Sequence, residues 1–130
     1  MIVDSSAIVA ILMHEPERAE FLDIITRAGR GAVSAATYVE TSIVVDRTGQ
    51  PVLSASLDGF LMDLNLRVEP VTASQALIAR QAHRDFGRGS GHPAKLNFGD
   101  WLSYALAKER REPLLYKGNG FIHTDIWPAT

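Results

Sequence analysis

Four short apolar runs punctuate this chain: Met1-Ile2-Val3, Ala32-Val33-Ser34, Leu66-Arg67-Val68-Glu69-Pro70-Val71 and Pro113-Leu114-Leu115-Tyr116. Each reads as a strand, and each is separated from the next by residues with helical character. Strands that alternate with helices point to an α/β layer structure around a parallel sheet. That alternation limits the chain to a small set of architectures before any side-chain chemistry is considered.

The expected helices cover residues 5–13, 16–28, 36–47, 52–65, 73–86 and 97–110. Asp4 or Ser5 caps the first of them. Pro16 suits the first turn of the second, which carries Phe21, Leu22 and Ile25 on one face,. Gly29 and Gly31 bracket a break, and Thr48-Gly49-Gln50-Pro51 reads as a loop. Ala76, Leu77, Ala79 and Ala82 offer small apolar contacts on the fifth helix. Gly87-Arg88-Gly89-Ser90-Gly91-His92-Pro93 is a loop by composition, and residues 117–130 form an irregular tail,. At 130 residues, residues 1–130 are expected to be one domain with a real hydrophobic core,.

Composition removes several classes of function. The chain has no cysteine, so disulfides, zinc–thiolate sites and thiol nucleophiles are excluded,. No apolar stretch approaches the roughly 20 residues of a membrane helix. Asp4 interrupts the N-terminus at once and no basic region precedes the apolar residues, unlike a signal peptide. The expectation is a soluble cytoplasmic protein without a membrane partner. A formal net charge of −2 does not advertise nucleic-acid binding. Residues 80–95 nevertheless hold Arg80, Arg84, Arg88 and Lys95, with His83 and His92, against Asp85 alone. Such a patch suits phosphate contact. A solvated helix face followed by a polar loop explains the same residues equally well.

Three carboxylates stand in unusual settings. Asp4 ends the first strand, where ligands collect in open parallel sheets, although a plain helix cap accounts for it too. Glu40 has Ala36, Thr37, Ile43 and Val44 as its helical neighbours, an apolar face on which an acid needs a partner,. Asp100 follows Asn97 by three residues, which fits a capping arrangement at a helix N-terminus. The same position would also aim it into the crevice at the strand ends. Acids removed from water need a cation or dense hydrogen bonding. If these three converge, they form an all-oxygen site suited to Mg²⁺ or Mn²⁺.

Other signals point elsewhere or nowhere. His14-Glu15-Pro16-Glu17-Arg18 lacks the second histidine of a zinc-protease helix, and proline would break that helix,. The glycine-rich loop has no preceding strand and no Gly-Lys-Ser/Thr. Trp101 and Tyr104 fall one turn apart and suit the core or a dimer contact. Phe60, Leu61 and Leu64 suit packing or a partner surface.

Four blocks in order carry a family resemblance. They are Ile2-Val3-Asp4-Ser5-Ser6-Ala7; Ser34-Ala35-Ala36-Thr37-Tyr38-Val39-Glu40; Leu96-Asn97-Phe98-Gly99-Asp100 with Ser103-Tyr104-Ala105-Leu106-Ala107; and Pro113-Leu114-Leu115-Tyr116-Lys117-Gly118. Together they resemble the PIN-domain ribonucleases, specifically the VapC toxins of VapBC toxin–antitoxin pairs, over nearly the whole chain. The resemblance implies a three-layer α/β/α sandwich with a short parallel sheet and Mg²⁺- or Mn²⁺-dependent RNA cleavage. It also implies a homodimer and inhibition by a VapB-type antitoxin. Carried over, Asp4, Glu40 and Asp100 are the metal ligands, and Ser6 is the hydroxyl residue that helps hold them.

One departure matters. Family members often carry a fourth acid after the last strand, yet Lys117-Gly118-Asn119-Gly120-Phe121 contains none. Asn119, or Asp125 a little further on, are the candidates to replace it. Arg84, Arg88 and Lys95 are the candidates for RNA backbone contact. The missing acid also motivates an alternative, a PIN-fold RNA- or protein-binding module with weakened catalysis. A phosphoryl-accepting switch domain would gather acids in the same way, but it would need a lysine partner and a mid-chain aspartate after a strand.

Overall fold

The computed structural model describes residues 1–86 and 96–130. Among them, four strands form one sheet: β1 (Ile2–Val3), β2 (Gly31–Ser34), β3 (Leu66–Glu69) and β4 (Leu114–Leu115). Six helices connect them: α1 (Ser5–Leu12), α2 (Arg18–Ala28), α3 (Ala35–Asp46), α4 (Pro51–Asp63), α5 (Ala73–Phe86) and α6 (Phe98–Arg110). Every strand pair is parallel, and the order across the sheet is β3-β2-β1-β4. Parallel neighbours cannot be joined by a tight turn, and each connection here is a helix pair.

Side-chain alternation along these strands builds two cores. Val3, Val33 and Leu115 face one side and pack with Ile8, Ile11, Phe21, Ile25, Leu57 and Leu61. Ile2, Ala32 and Leu114 face the other, against Ala82, Leu106, Ala107 and Tyr104 of α5 and α6. The result is the expected α/β/α sandwich. Since β1 and β4 are buried on both faces, two apolar residues each are sufficient to read as strands.

Several boundaries differ from expectation for local reasons. Pro16 lies in a turn ahead of α2, whose N-cap is Glu17, so it is not in the first turn of that helix. Pro51 does occupy a first-turn position, in α4. Gly29 ends α2 at φ 76°, and its N–H bonds back to the Ile25 carbonyl at 3.1 Å. Glycine is the residue that adopts this left-handed closing position without a Cβ penalty. Leu61 is buried as expected, with Phe60 and Leu64 packed around it.

The chain's path locates the site. It runs outward from β1 through β2 to β3, then crosses back over the sheet to add β4 on the far side of β1. Where strand order reverses in this way, a crevice opens beyond the carboxyl ends of β1 and β4,. Asp4 follows β1 there, and Lys117 lies close behind β4. Leu96 N–H meets the Phe86 carbonyl at 2.8 Å, so the start of α6 lies beside the end of α5. Among the described residues, no helix is long and apolar enough to cross a membrane.

Candidate active site

Asp4 is the best-fixed acid of the site, at 2% exposure. It caps α1 by accepting from Ser6 N–H at 3.0 Å, so the capping explanation is correct. It does more than cap. Its Oδ2 also accepts from Ser6 Oγ at 2.6 Å, and its Oδ1 accepts from Ser103 Oγ at 2.5 Å. Ser6 Oγ in turn accepts from the backbone N–H of Lys117 at 3.0 Å. The hydroxyl therefore ties the end of β1 to the segment after β4.

Glu40 sits on α3 above the first turn of α6. One carboxylate oxygen, Oε1, accepts a hydrogen bond from Ser5 Oγ. A Cβ placed on Gly99 would lie 2.6 Å from the Glu40 carboxyl carbon and 2.7 Å from Oε1, and still closer to Oε2. The missing side chain of Gly99 thus makes the space that the Glu40 carboxylate fills. Of its expected helical neighbours, Thr37 is buried, whereas Ile43 and Val44 are exposed, as is Val39 beside it. The buried face of α3 is Thr37, Thr41 and Val45. Helical spacing identified an apolar face but not which way it would turn.

Asp100 lies beside Gly99 and forms a capping box with Asn97. Its Oδ2 accepts from Asn97 N–H at 3.0 Å, and its own N–H donates to Asn97 Oδ1 at 3.1 Å. The segments that carry the three acids therefore meet at the carboxyl end of the sheet: Ser103 ties Asp4 to α6, Ser5 and Gly99 hold Glu40 against α1 and α6, and Asp100 follows Gly99 in the first turn of α6.

The donors are all oxygen, which suits a hard divalent cation. Among the described residues no lysine, arginine or histidine pairs with Asp4 or Glu40; hydroxyls and a backbone N–H are their hydrogen-bond partners. A buried carboxylate at Asp4 beside a half-buried one at Glu40, neither with a cationic side chain, fits an ion as the missing partner,. Among the described residues, however, no three His, Cys, Asp or Glu side chains stand close enough to form a ready ligand cage. The site presents separate carboxylates, leaving positions for water and substrate oxygens, as Mg²⁺ sites commonly do.

The other site candidates separate. Asp125 is turned away: its Oδ1 accepts from Tyr104 Oη at 2.7 Å and its Oδ2 from Lys108 Nζ at 2.8 Å, on the later turns of α6. Partial burial alone would raise its pKa, but the bonds from Lys108 and Tyr104 outweigh that and hold it below the ordinary aspartate value. Burial, followed by the bond to Asp125, raises the Tyr104 phenol and keeps it protonated. Asp125 is thus a tether for the tail, and the structure does not bring it to the other acids. Asn119 is exposed in the turn after β4, and no hydrogen bond joins its side chain to them. Arg84 is exposed in the last turn of α5, at the end of the helix pair nearest Asp100. Its neighbour His83 packs at a tilt of 49° against Trp101, with ring centroids 4.4 Å apart. Arg88 and Lys95 lie outside the described residues.

Lys117 adds an element that the sequence did not suggest. Its Nζ pairs with Glu15 at 2.7 Å and Glu17 at 3.2 Å, pinning the α1–α2 turn to the segment whose N–H holds Ser6. The Glu15 hydrogen bond is the main reason its pKa is raised. Ser5, Thr37, Gly99 and Ser103 were also missed as site residues. A signal existed for two of them: Thr37 precedes Glu40 by three residues and Ser103 follows Asp100 by three, spacings that share a helix face.

The PIN domain family model matches residues 1–126. Ribonuclease VapC28 of Mycobacterium tuberculosis is 56% identical over 129 residues, spanning 99% of this chain and 97% of the relative. Ribonuclease VapC42 of the same organism is 49% identical over 129 residues, spanning 99% and 98%. Among solved structures, M. tuberculosis VapC20, a sarcin–ricin loop cleaving toxin, superposes with TM-score 0.75 at 16% identity, covering 96% of this chain and 95% of that one. VapBC2 from Rickettsia felis, bound to a DNA fragment from its promoter, gives TM-score 0.75 at 14% identity, covering 98% and 94%.

Proposed function

This chain belongs to the PIN-domain family, as one of its VapC ribonucleases, and on that premise we propose that it is the toxin of a type II toxin–antitoxin pair, hydrolysing RNA phosphodiester bonds with Mg²⁺. Transfer-RNA or ribosomal-RNA loops are the substrate class. The observation that supports the reading is that the segments bearing Asp4, Glu40 and Asp100 meet beyond the carboxyl end of the sheet, with no cationic side chain on Asp4 or Glu40 among the described residues.

Bound Mg²⁺ or Mn²⁺ would supply water activation and charge relief at the phosphoryl group. The chain's own part is positional. Asp4, Glu40 and Asp100 hold the ion, with Asp4 locked by Ser6 and Ser103 and Glu40 seated between Ser5 and Gly99. Arg84, with Arg88 and Lys95, contacts the RNA backbone, where unpaired bases leave the strand accessible. A VapB-type antitoxin and a second copy of this chain are the protein partners, and the cytoplasm is the compartment.

Cleavage of transfer and ribosomal RNAs with and without Mg²⁺ tests this reading. Asp100→Asn is expected to stay folded and lose activity; cleavage at the wild-type rate would remove Asp100 from the chemistry. The lack of an acid in residues 117–121 favours one alternative, a PIN-fold binding module. Metal binding without cleavage across a broad RNA panel would support it.

A further inference from the structure

We propose that Ser103 is the positioning residue that sets the spacing of the three acids and aims the metal-binding oxygen of Asp4. This rests on the reading of Asp4, Glu40 and Asp100 as the groups that hold the ion.

Ser103 is fully buried on α6, one turn after Asp100 on the same face. Its Oγ lies 2.5 Å from Asp4 Oδ1 and 3.0 Å from Thr37 Oγ1. Thr37 is equally buried, one turn before Glu40 on α3. Through these two bonds Ser103 reaches the element carrying each acid: its own helix bears Asp100, it bonds Asp4 directly, and it bonds the helix of Glu40.

Donor accounting makes the chain one-way. An ionised carboxylate only accepts, and a serine hydroxyl has one hydrogen. Ser103 gives that hydrogen to Asp4, so Thr37 must donate to Ser103. The order Thr37 to Ser103 to Asp4 ends on charge, the stronger type of hydrogen bond. It also assigns the two oxygens of Asp4. Oδ2 already accepts from both Ser6 N–H and Ser6 Oγ, whereas Oδ1 accepts from Ser103 alone. Each carboxylate oxygen offers about two acceptor sites, so the free acceptor of Asp4 is on the oxygen that Ser103 holds. Buried hydroxyls gain little for stability over apolar groups of the same shape. A hub of three buried polar side chains is therefore better explained by placement of the site than by packing.

The test is Mn²⁺ binding to the full-length protein without RNA, followed by calorimetry or electron paramagnetic resonance, together with the Mn²⁺ dependence of RNA cleavage. In Ser103→Ala the half-saturating Mn²⁺ concentration should rise about tenfold or more, the scale on which partners of metal ligands act. The kcat should largely recover at saturating Mn²⁺. A purely structural role would instead lower the melting temperature and leave the Mn²⁺ dependence unmoved; that result, in a folded Ser103→Ala protein, overturns the proposal. Should Ser103→Ala fail to fold, Thr37→Val and Thr37→Ser decide. The valine variant should bind Mn²⁺ more weakly and the serine variant should restore the affinity; equal affinities overturn it. A wild-type protein that takes up no Mn²⁺ overturns the metal reading along with it, whereas wild-type binding unchanged by these substitutions removes Ser103 alone.

Discussion

Gly99→Ala separates stability from activity within a single methyl group. Gly99 is buried in the first turn of α6, against the Glu40 carboxylate. The new Cβ would stand 2.6 Å from the Glu40 carboxyl carbon, whereas carbon atoms rest about 3.5–4.0 Å apart. The carboxylate must therefore retreat by roughly 1 Å. Glu40 is only half-buried, so its flexible side chain can swing aside without backbone movement, at the loss of the Ser5 hydrogen bond. Helix propensity acts in the opposite direction, since alanine is favoured over glycine by about 1 kcal/mol in a helix. Melting temperature should consequently hold or rise. Displacing a positioned group by about 1 Å costs on the order of 100-fold in rate. The assay is single-turnover cleavage of a fluorogenic RNA at saturating Mg²⁺, paired with thermal melting. A folded Gly99→Ala enzyme within twofold of wild type would refute the assignment of Glu40 to the site.

Chelation by EDTA should abolish cleavage, and added Mg²⁺ or Mn²⁺ should restore it; activity that survives thorough chelation would exclude the metal. Ile2→Ala, at a fully buried position in the central strand, should lower unfolding free energy by about 2–5 kcal/mol in urea titration,. The Asp125 carboxyl sits below its ordinary value, so its tether to Tyr104 and Lys108 stabilises the fold above pH 3.8 and fades as pH falls below that,. Asp125→Asn should flatten acid unfolding in this window while leaving Mn²⁺ affinity unchanged; a loss of Mn²⁺ binding would return Asp125 to the site. Lys117 carries a raised pKa, so its clamp is complete below pH 10.5 and is lost only as pH climbs through the folded value,. Lys117→Met should therefore behave alike at pH 7 and pH 9 relative to wild type, by melting temperature.

Much of the architecture was legible because it depends on near neighbours. Asp4 and Asn97 sit at helix starts whose caps reach two or three residues ahead, so their helices declared themselves in the sequence. Gly29 closed α2 for an equally local reason. Leu114 and Leu115 read as a strand because both faces of this parallel strand are covered by apolar side chains. The three acids stood out because each interrupts an apolar context. Asp125 shows where such reasoning ends. Its place in the chain suited a fourth ligand, but packing of the tail against α6 delivered it to Tyr104 and Lys108.

The amino-acid order by itself determined the succession of strands and helices and the identity of the candidate acids, since both follow from periodicity and from partners within about four positions. Only the tertiary structure decided that Ser103 would reach Asp4 across 99 residues, that Gly99 would make room for Glu40, and that Val39 and Ile43 would face outward. The reason is strand order: placing β4 beside β1 brings together segments from opposite ends of the chain. No local pattern records which strand will be whose neighbour.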